Sequence, residues 1–533
     1  MAVEKTIPVV VGVTAHRAIR EEDWATIYAA VKSELKKLQE LCPNSQLVML
    51  SSLAEGGDLL CADAAEELDL PLIAALPRER ADYERDFSEQ GLSRFAHHCA
   101  RAERVFVAPP TEKPKPGVSE RAFRFRQAGI YVSTHSHVLL ALWDGGEGTK
   151  EACGTADAVD FTLHGSYCPA GGVSVRSASN EAVVHVFTPR GERTEAEAGT
   201  VRVLGNRQAL LSVLRQTDEF NRLAAEQPEE ERRLLPEKCD DPILERMERV
   251  YLASSALSRA AAKTYRRILA AIAVVSSLLT MAFLLYDEAQ LQWMVFACGL
   301  LLLGAVALSR QAAKLDCHRR YLEYRALAEC LRVQIFLRYA GSAVAACELL
   351  SWTQQEETAW IMDALCTLTI GEGATAKHDI SDCWVEEQRA YHRRAARKVR
   401  REDDLSELVV RVALVLSISL YVLAVVFELL CGGWLFRAPI RVASTESWRS
   451  LLKIALGSIS AVTLFIANYF GRLSLPRLRS DHAKMERFYG KIAAQLQLQG
   501  QTDELLTVLA REELIENGNW CSYKRDNTPN LSL

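Results

Sequence analysis

The chain has 533 residues, 49% hydrophobic and 25% charged, room for about three or four domains of ordinary size and too balanced for a disordered tail, a collagen or a disulfide miniprotein. A net charge of −5 argues against a dedicated nucleic-acid binder, which is usually basic. The mean hydropathy of −0.02 averages two halves of different character.

The first half alternates strands and helices. Ile7–Thr14 is a short apolar run of the kind a buried parallel strand needs, and Asp23–Leu41 carries Trp24, Ile27, Val31, Leu35 and Leu38 at helical spacing. Gln46–Leu53, Leu72–Leu76, Val105–Ala108, Val138–Trp143 and Ala182–Phe187 are further expected strands, with helices over Gly57–Leu68 and around Glu89–Ala102. This rhythm predicts a Rossmann-like parallel sheet covered by helices on both faces, over residues 1–202. Residues 203–247, with the charge run Glu229–Arg233, are expected to be a helical connector whose charges are solvated. The 14 cysteines form no CxxC pair, which points to reduced, mostly buried thiols. After Met1–Thr6 the chain enters a strand, so no signal peptide is expected.

The second half reads as membrane. Ile268–Tyr286 and Leu291–Ser309 are each 19 residues without a charge, about 28 Å as helix. Val412–Phe427 and Ile454–Gly471 are also uncharged, which gives four expected transmembrane helices in two hairpins. Arg259, Lys263, Arg266 and Arg267 precede the first span, and Arg310, Lys314, Arg319 and Arg320 follow the second. Arg393–Arg401 is basic before the third span, and Arg472, Arg477, Arg479 and Lys484 follow the fourth. The positive-inside rule then predicts a multi-pass cell-membrane protein with both termini cytoplasmic, although Arg437, Arg441, Arg449 and Lys453 in the outer loop weaken the signal. The expected units are a first two-span hairpin over 248–345, a connector over 346–380 and a second two-span unit with a C-terminal helix over 381–533.

Three glycine-bearing turns fall at the carboxyl edge of the expected sheet, where ligands of open α/β folds bind. The first is Gly12-Val13-Thr14-Ala15-His16-Arg17, offering close backbone approach, a hydroxyl and a guanidinium fork for phosphate or carboxylate. The second, after Ser51, is Glu55-Gly56-Gly57-Asp58, whose helix N-terminus suits an anion, with Asp58 alternatively an N-cap. The third is Gly154-Thr155, beyond Asp144. No Walker motif and no GxSxG elbow occurs. His97-His98-Cys99 and His135-Ser136-His137 have metal-binding residue types, but the first are adjacent along a helix and the second are not backed by acids at useful spacing, so neither a metal nor a catalytic residue is expected.

GVTAHR, SSLAEGGDLLCADAA, LLALWDG and GTADAV together resemble a SLOG domain, the Rossmann-like superfamily that includes the cytokinin-activating LOG enzymes, the Smf/DprA proteins and the sensor region of TRPM channels. The resemblance covers about residues 5–200 and implies a nucleotide or ADP-ribose-like ligand, with no cofactor required. The hydrolase branch carries PGGxGTxxE; here Ala158 stands at the position of that glutamate and the PGG is missing, which favours a sensor. The stripe Trp384, Gln388, Tyr391 and Ala395, the spans that follow it, and Glu512-Glu513-Leu514 with Trp520 are similar to the SLATT membrane effectors, over about 381–524. Together the resemblances imply a sensor-effector: a ligand-gated, homo-oligomeric pore or membrane-disrupting assembly acting in antiviral or conflict defence. The alternatives are a membrane-anchored nucleotide or NAD glycosidic hydrolase using Asp58 or Asp144, and a non-catalytic membrane scaffold.

Overall fold

A computed structural model describes residues 5–111, 117–148, 153–167, 174–175, 182–190, 197–228, 233–237, 239–374, 376–431, 444–473 and 475–526, with the side chains of 461 and 464–473 left out. Glu229–Glu231, Glu151, Arg437, Arg441 and the side chains of much of the fourth expected span therefore lie outside the described residues. The chain divides into two compact units, each drawing on separated stretches. One is Met1–Leu257 with Glu323–Ile380 and Gln501–Cys521; the other is Ser258–Leu322 with Ser381–Gly500 and Ser522–Leu533.

The first unit is built on β1 (Val9–Ala15), α1 (Trp24–Leu41), β2 (Leu47–Ser51), α2 (Gly57–Glu67), β3 (Leu72–Leu76), α3 (Glu89–Arg101), β4 (Arg104–Val107), α4 (Glu120–Thr134), β5 (Val138–Trp143), α5 (Thr155–His164), β6 (Ala182–Phe187) and β7 (Val201–Gly205). The seven strands lie in the order β4-β3-β2-β1-β5-β6-β7, all parallel except β7, which runs antiparallel to β6. Alternation sorts the apolar runs onto two faces. Val9, Val11, Val13, Met49, Ala74 and Leu140 pack with Ile27, Val31, Leu59 and Phe95 on one side. Val10, Val48, Leu50, Ile73 and Leu139 pack with Ala128, Tyr131 and Val159 on the other. Both faces are covered, which is why these strands read as unbroken apolar runs.

The segment expected as a helical connector over 203–247 opens instead in the end of β7 and continues as a packed helix, α6 (Arg207–Ala225). Leu210 and Leu214 join the sheet core, and Asn221 holds both backbone groups of Ile7, its Oδ1 accepting the Ile7 N–H and its Nδ2 donating to the Ile7 carbonyl, each at 2.8 Å. On its other side Phe220 meets Tyr324 and Trp360, with ring centroids 5.6 and 5.9 Å away. The rest of this unit is helical: the start of α7 (Pro242–Glu288), most of α9 (Cys317–Tyr339), α10 (Ala359–Leu368) and most of the last helix, Asp503–Asp526. Buried Glu513 of that last helix pairs with Arg332 of α9. Beyond β4, Ile370 joins the sheet core and its carbonyl accepts the Arg104 guanidinium, so the edge of the sheet is not left bare.

Among the described residues, three stretches are long and apolar enough to cross a membrane: α7, Met294–Tyr339 (α8, Met294–Leu315, with α9) and Ser381–Cys431 (α11, Glu387–Cys431, with the turn before it). Their apolar side chains are largely bare of protein, Phe296 being 79% exposed and Leu300 73%. Such a surface is untenable in water and ordinary in lipid. In the second unit, α12 (Thr445–Leu473) lies beside α7: Lys453 Nζ is 3.2 Å from Glu288 Oε2, and a Cβ on Gly457 would meet the Leu284 side chain at 3.0 Å. The residues ascend on one helix as they descend on the other, which makes the pair antiparallel. α13 (Leu475–Gln499) buries Met485, Tyr489, Ile492 and Leu496 along one face, and Trp384 and Gln388 of the expected SLATT-like stripe are buried as well. Cysteines placed at 284 and 457, in a chain cleared of native thiols, should therefore be joined in membranes by a short bis-methanethiosulfonate, each thiol displacing one sulfinate. Absence of that product, with 288 and 453 also unlinked, would contradict the α7–α12 contact.

Candidate functional site

The parallel strands end on one side of the sheet, and strand order reverses between β1 and β5, where such folds leave a crevice. His16 and Asp144 stand at that reversal. The Asp144 N–H donates to His16 Nε2 at 3.1 Å, which makes that nitrogen the acceptor. Burial lowers the His16 pKa, against the opposing effect of Asp144, so the ring is neutral. Asp144 accepts Arg190 Nε at 2.8 Å and the Gly146 N–H at 3.0 Å. Burial opposes its charge, yet these bonds outweigh it and hold the carboxyl well below the usual range. The reversal point is thus filled by the protein's own side chains.

The other expected residues divide by what they touch. Gly12 lies mid-strand, paired with Leu50 and Leu139, where a Cβ would meet Ser136 Oγ at 2.7 Å; Thr14 is half-buried in the same strand beside Ala141. Gly56 has φ +97°, and a Cβ there would overlap the Arg17 carbonyl; one on Gly57 would overlap the Ala15 side chain. The Gly57 N–H donates to the His16 carbonyl at 3.0 Å. These two glycines let the turn after β2 lean on the turn after β1 and fix the backbone that carries Arg17. Ser51 Oγ donates to Asp58 Oδ2 at 3.0 Å, and the Ala54 N–H approaches the same oxygen at 3.3 Å. Burial pushes the Asp58 pKa up to about 7 despite those bonds and the Arg17 charge. Glu55 binds the N–H and hydroxyl of Ser88, the residue that caps α3. At α5 the Gly154 N–H donates to Asp157 Oδ2 at 2.8 Å and Thr155 is buried, so that helix start has an internal anion already.

Arg17 differs. Its guanidinium lies over the Phe125 ring at 5.4 Å, and so do those of Arg78 at 5.7 Å and Arg121 at 5.3 Å, all within cation–π range. One carboxylate faces all three. Asp86, 8% exposed, accepts Arg78 at Oδ2 and Arg121 at Oδ1 (2.8 Å), with Arg17 3.9 Å away. Burial opposes its charge, but the bonds from Arg78 and Arg121 prevail and hold its pKa below the ordinary value. Beside Arg17 the fully buried Tyr83 hydroxyl has no hydrogen-bond partner at bonding distance, and burial first, then the nearby Asp58 charge, raises its pKa. Three guanidiniums against one carboxylate leave an excess of about two positive charges at an edge suited to anions.

Sequence reasoning found Arg17 and missed Arg78, Tyr83, Asp86, Arg121 and Phe125. One signal was present: Arg78 follows β3 as Arg17 follows β1, two residues past the strand end. Arg121 and Phe125 are i,i+4 at the start of α4 and so share a face. Elsewhere in this unit, donor atoms of Glu66, His97 and His98 lie within 4.8 Å of one another, while Arg101 holds Glu66 and Arg94 holds the adjoining Asp63, so these carboxylates are already compensated by protein cations.

No family model matches this chain, and no match among curated proteins was found.

The position of Asp58 makes a pH prediction. The folded protein keeps its proton up to about pH 7, whereas the ordinary value is 3.8. Its contribution to stability is then complete below the ordinary value and is lost as pH rises through about 7. Asp58→Asn should flatten that loss in thermal melts between pH 4 and 8, each pH unit between the two values being worth about 1.4 kcal/mol. A slope identical to the parent's would show that Asp58 titrates as an open carboxylate.

Proposed function

We propose that the chain is a membrane sensor-effector, in which the α/β sheet binds an anionic, nucleotide-derived ligand and the apolar helices form, in a homo-oligomer, a pore or membrane-disrupting assembly that the ligand gates. The observation that carries this reading is the group of Arg17, Arg78 and Arg121 around Phe125 and Asp86, at the ligand-binding edge of a chain that also holds three membrane-length helices. Guanidinium forks match phosphate oxygens, and an aromatic floor suits a ligand that carries a base or ribose. The SLOG-like and SLATT-like residue patterns point the same way, to nucleotide or ADP-ribose-like sensing in conflict defence, with no cofactor and no nucleic acid required.

Four spans with both termini cytoplasmic remain the topology of this reading. Its support is the antiparallel α7–α12 pair, which sets the uncharged part of α12 beside that of α7. Two of the four outer-loop cations that blur the charge asymmetry find acids: Arg449 binds Glu428 through Nε and Nη2 at 2.7 and 2.8 Å, and Lys453 binds Glu288. Paired in this way they add no net positive charge to the outer side.

A glycosidic hydrolase needs a carboxylate open to the sugar. The Asp144 carboxylate is held by Arg190 and the Gly146 N–H, and Asp58 is buried beneath the Ser51–Gly57 turn, which favours the sensor over the enzyme.

The test is release of dye from liposomes holding the purified full chain, across a panel of nucleoside mono- and diphosphates, NAD and ADP-ribose. Release should require one of these, and the same compound should bind the protein in detergent. Arg17→Ala should weaken that binding by about 1.5–3 kcal/mol, the range for a hydrogen bond to a charged group. Release that ignores every compound, or nucleotide binding unchanged in folded Arg17→Ala, would contradict the proposal.

A further inference from the structure

The arginine cluster holds an anion already, and that anion is part of the chain. Asp86 is nearly buried, its two oxygens are divided between Arg121 and Arg78, and Arg17 stands 3.9 Å off, within ion-pair reach but without a hydrogen bond. All three guanidiniums are more open than the carboxylate between them: Arg17 is 41% exposed, Arg121 56% and Arg78 25%, against 8% for Asp86. A ligand approaching from solvent therefore meets the cations first, with Asp86 beneath them. Three like charges around one ring repel one another, and a counter-charge must sit among them in the free protein. An arriving phosphate or carboxylate supplies the same charge and the same acceptor geometry from outside.

We propose that Asp86 is an internal stand-in for the ligand's anionic group, which the ligand displaces when it binds. This rests on reading the cluster as an anion site. Asp86 ends the turn Glu84–Asp86, and the next residues are built into α3: the Phe87 ring lies 4.7 Å from Phe95, and Ser88 caps the helix and binds Glu55. On the other side of the turn, Tyr83 packs its ring on Phe87, Phe95 and Phe125, with its orphan hydroxyl beside Arg17. Release of Asp86 thus frees the Arg80–Phe87 segment from the arginines and passes a movement to α3. The device sets a threshold, since a weak or singly charged anion gains too little to replace a carboxylate tethered at high effective concentration.

The experiment uses the full chain in detergent with inorganic pyrophosphate and ADP as probes. Asp86→Asn should melt at a lower temperature without ligand, because three guanidiniums lose their counter-charge, and should bind pyrophosphate about tenfold tighter, because the competitor is gone. Asp86→Glu should stay near the parent in both. A residue that merely orients the arginines would move both readings downward. In the parent protein, amide exchange over Arg80–Phe87 should speed up on adding pyrophosphate while the rest of the α/β unit slows or stays. This second measurement decides the matter if Asp86→Asn does not fold. Affinity unchanged or weaker in folded Asp86→Asn, or added protection of Arg80–Phe87, would overturn the displacement while leaving the anion site standing. Failure of both probes to bind parent and variant alike would overturn the site itself.

Discussion

Three guanidinium groups cannot stand around one ring without a counter-charge, and the carboxyl edge of this sheet is organised by that constraint. Asp86 supplies the charge, Phe125 supplies the surface on which the flat cations rest, and each arginine is delivered from a different element: Arg17 after β1, Arg78 after β3, Arg121 from the first turn of α4. Their placement is only as firm as the turns that carry them. Gly56 and Gly57 give the first turn its firmness, through backbone contacts that no side chain would permit. A larger residue at Gly57 would therefore disturb the fold as well as any ligand, so Gly57→Glu cannot isolate binding from structure. The arginines themselves are the cleaner positions to change.

The same edge shows how a protein keeps some polar groups out of play. The crevice at the β1–β5 reversal is closed by His16, Asp144 and Arg190, and the start of α5 by Asp157. What remains poised is displaced toward β1 and β3, on the side of the sheet edge where Tyr83 leaves a buried hydroxyl unpartnered.

The strands were legible because both faces of the sheet are covered. Leu72–Leu76, Val138–Trp143 and Ala182–Phe187 begin and end where their apolar runs do. β7 was not legible, since an edge strand over Val201–Gly205 buries little and Arg202 interrupts it. Nor was the packing of α6, whose polar composition hid the Leu210, Leu214 and Phe220 face that joins the sheet to the helices of its unit. Three of the four expected spans fall in helices long and apolar enough to cross a membrane, and missing charge alone located them; the partners of Lys453 and Arg449 were not legible, because pairing across 165 and 21 residues leaves no periodic trace. The arginine cluster escaped for the same reason: Arg17, Arg78, Asp86, Arg121 and Phe125 are brought together by strand order, and only Arg121 and Phe125 are close enough in the chain to be linked by spacing.

The central claim is that this cluster is where a small anionic signal enters a membrane protein. A structure of the full chain in lipid nanodiscs, determined with an activating nucleotide present, tests it most directly. The account predicts phosphate density within hydrogen-bonding distance of the Arg17, Arg78 and Arg121 guanidiniums. Nucleotide density at another place on the protein, with these three arginines still folded onto Asp86, would contradict it.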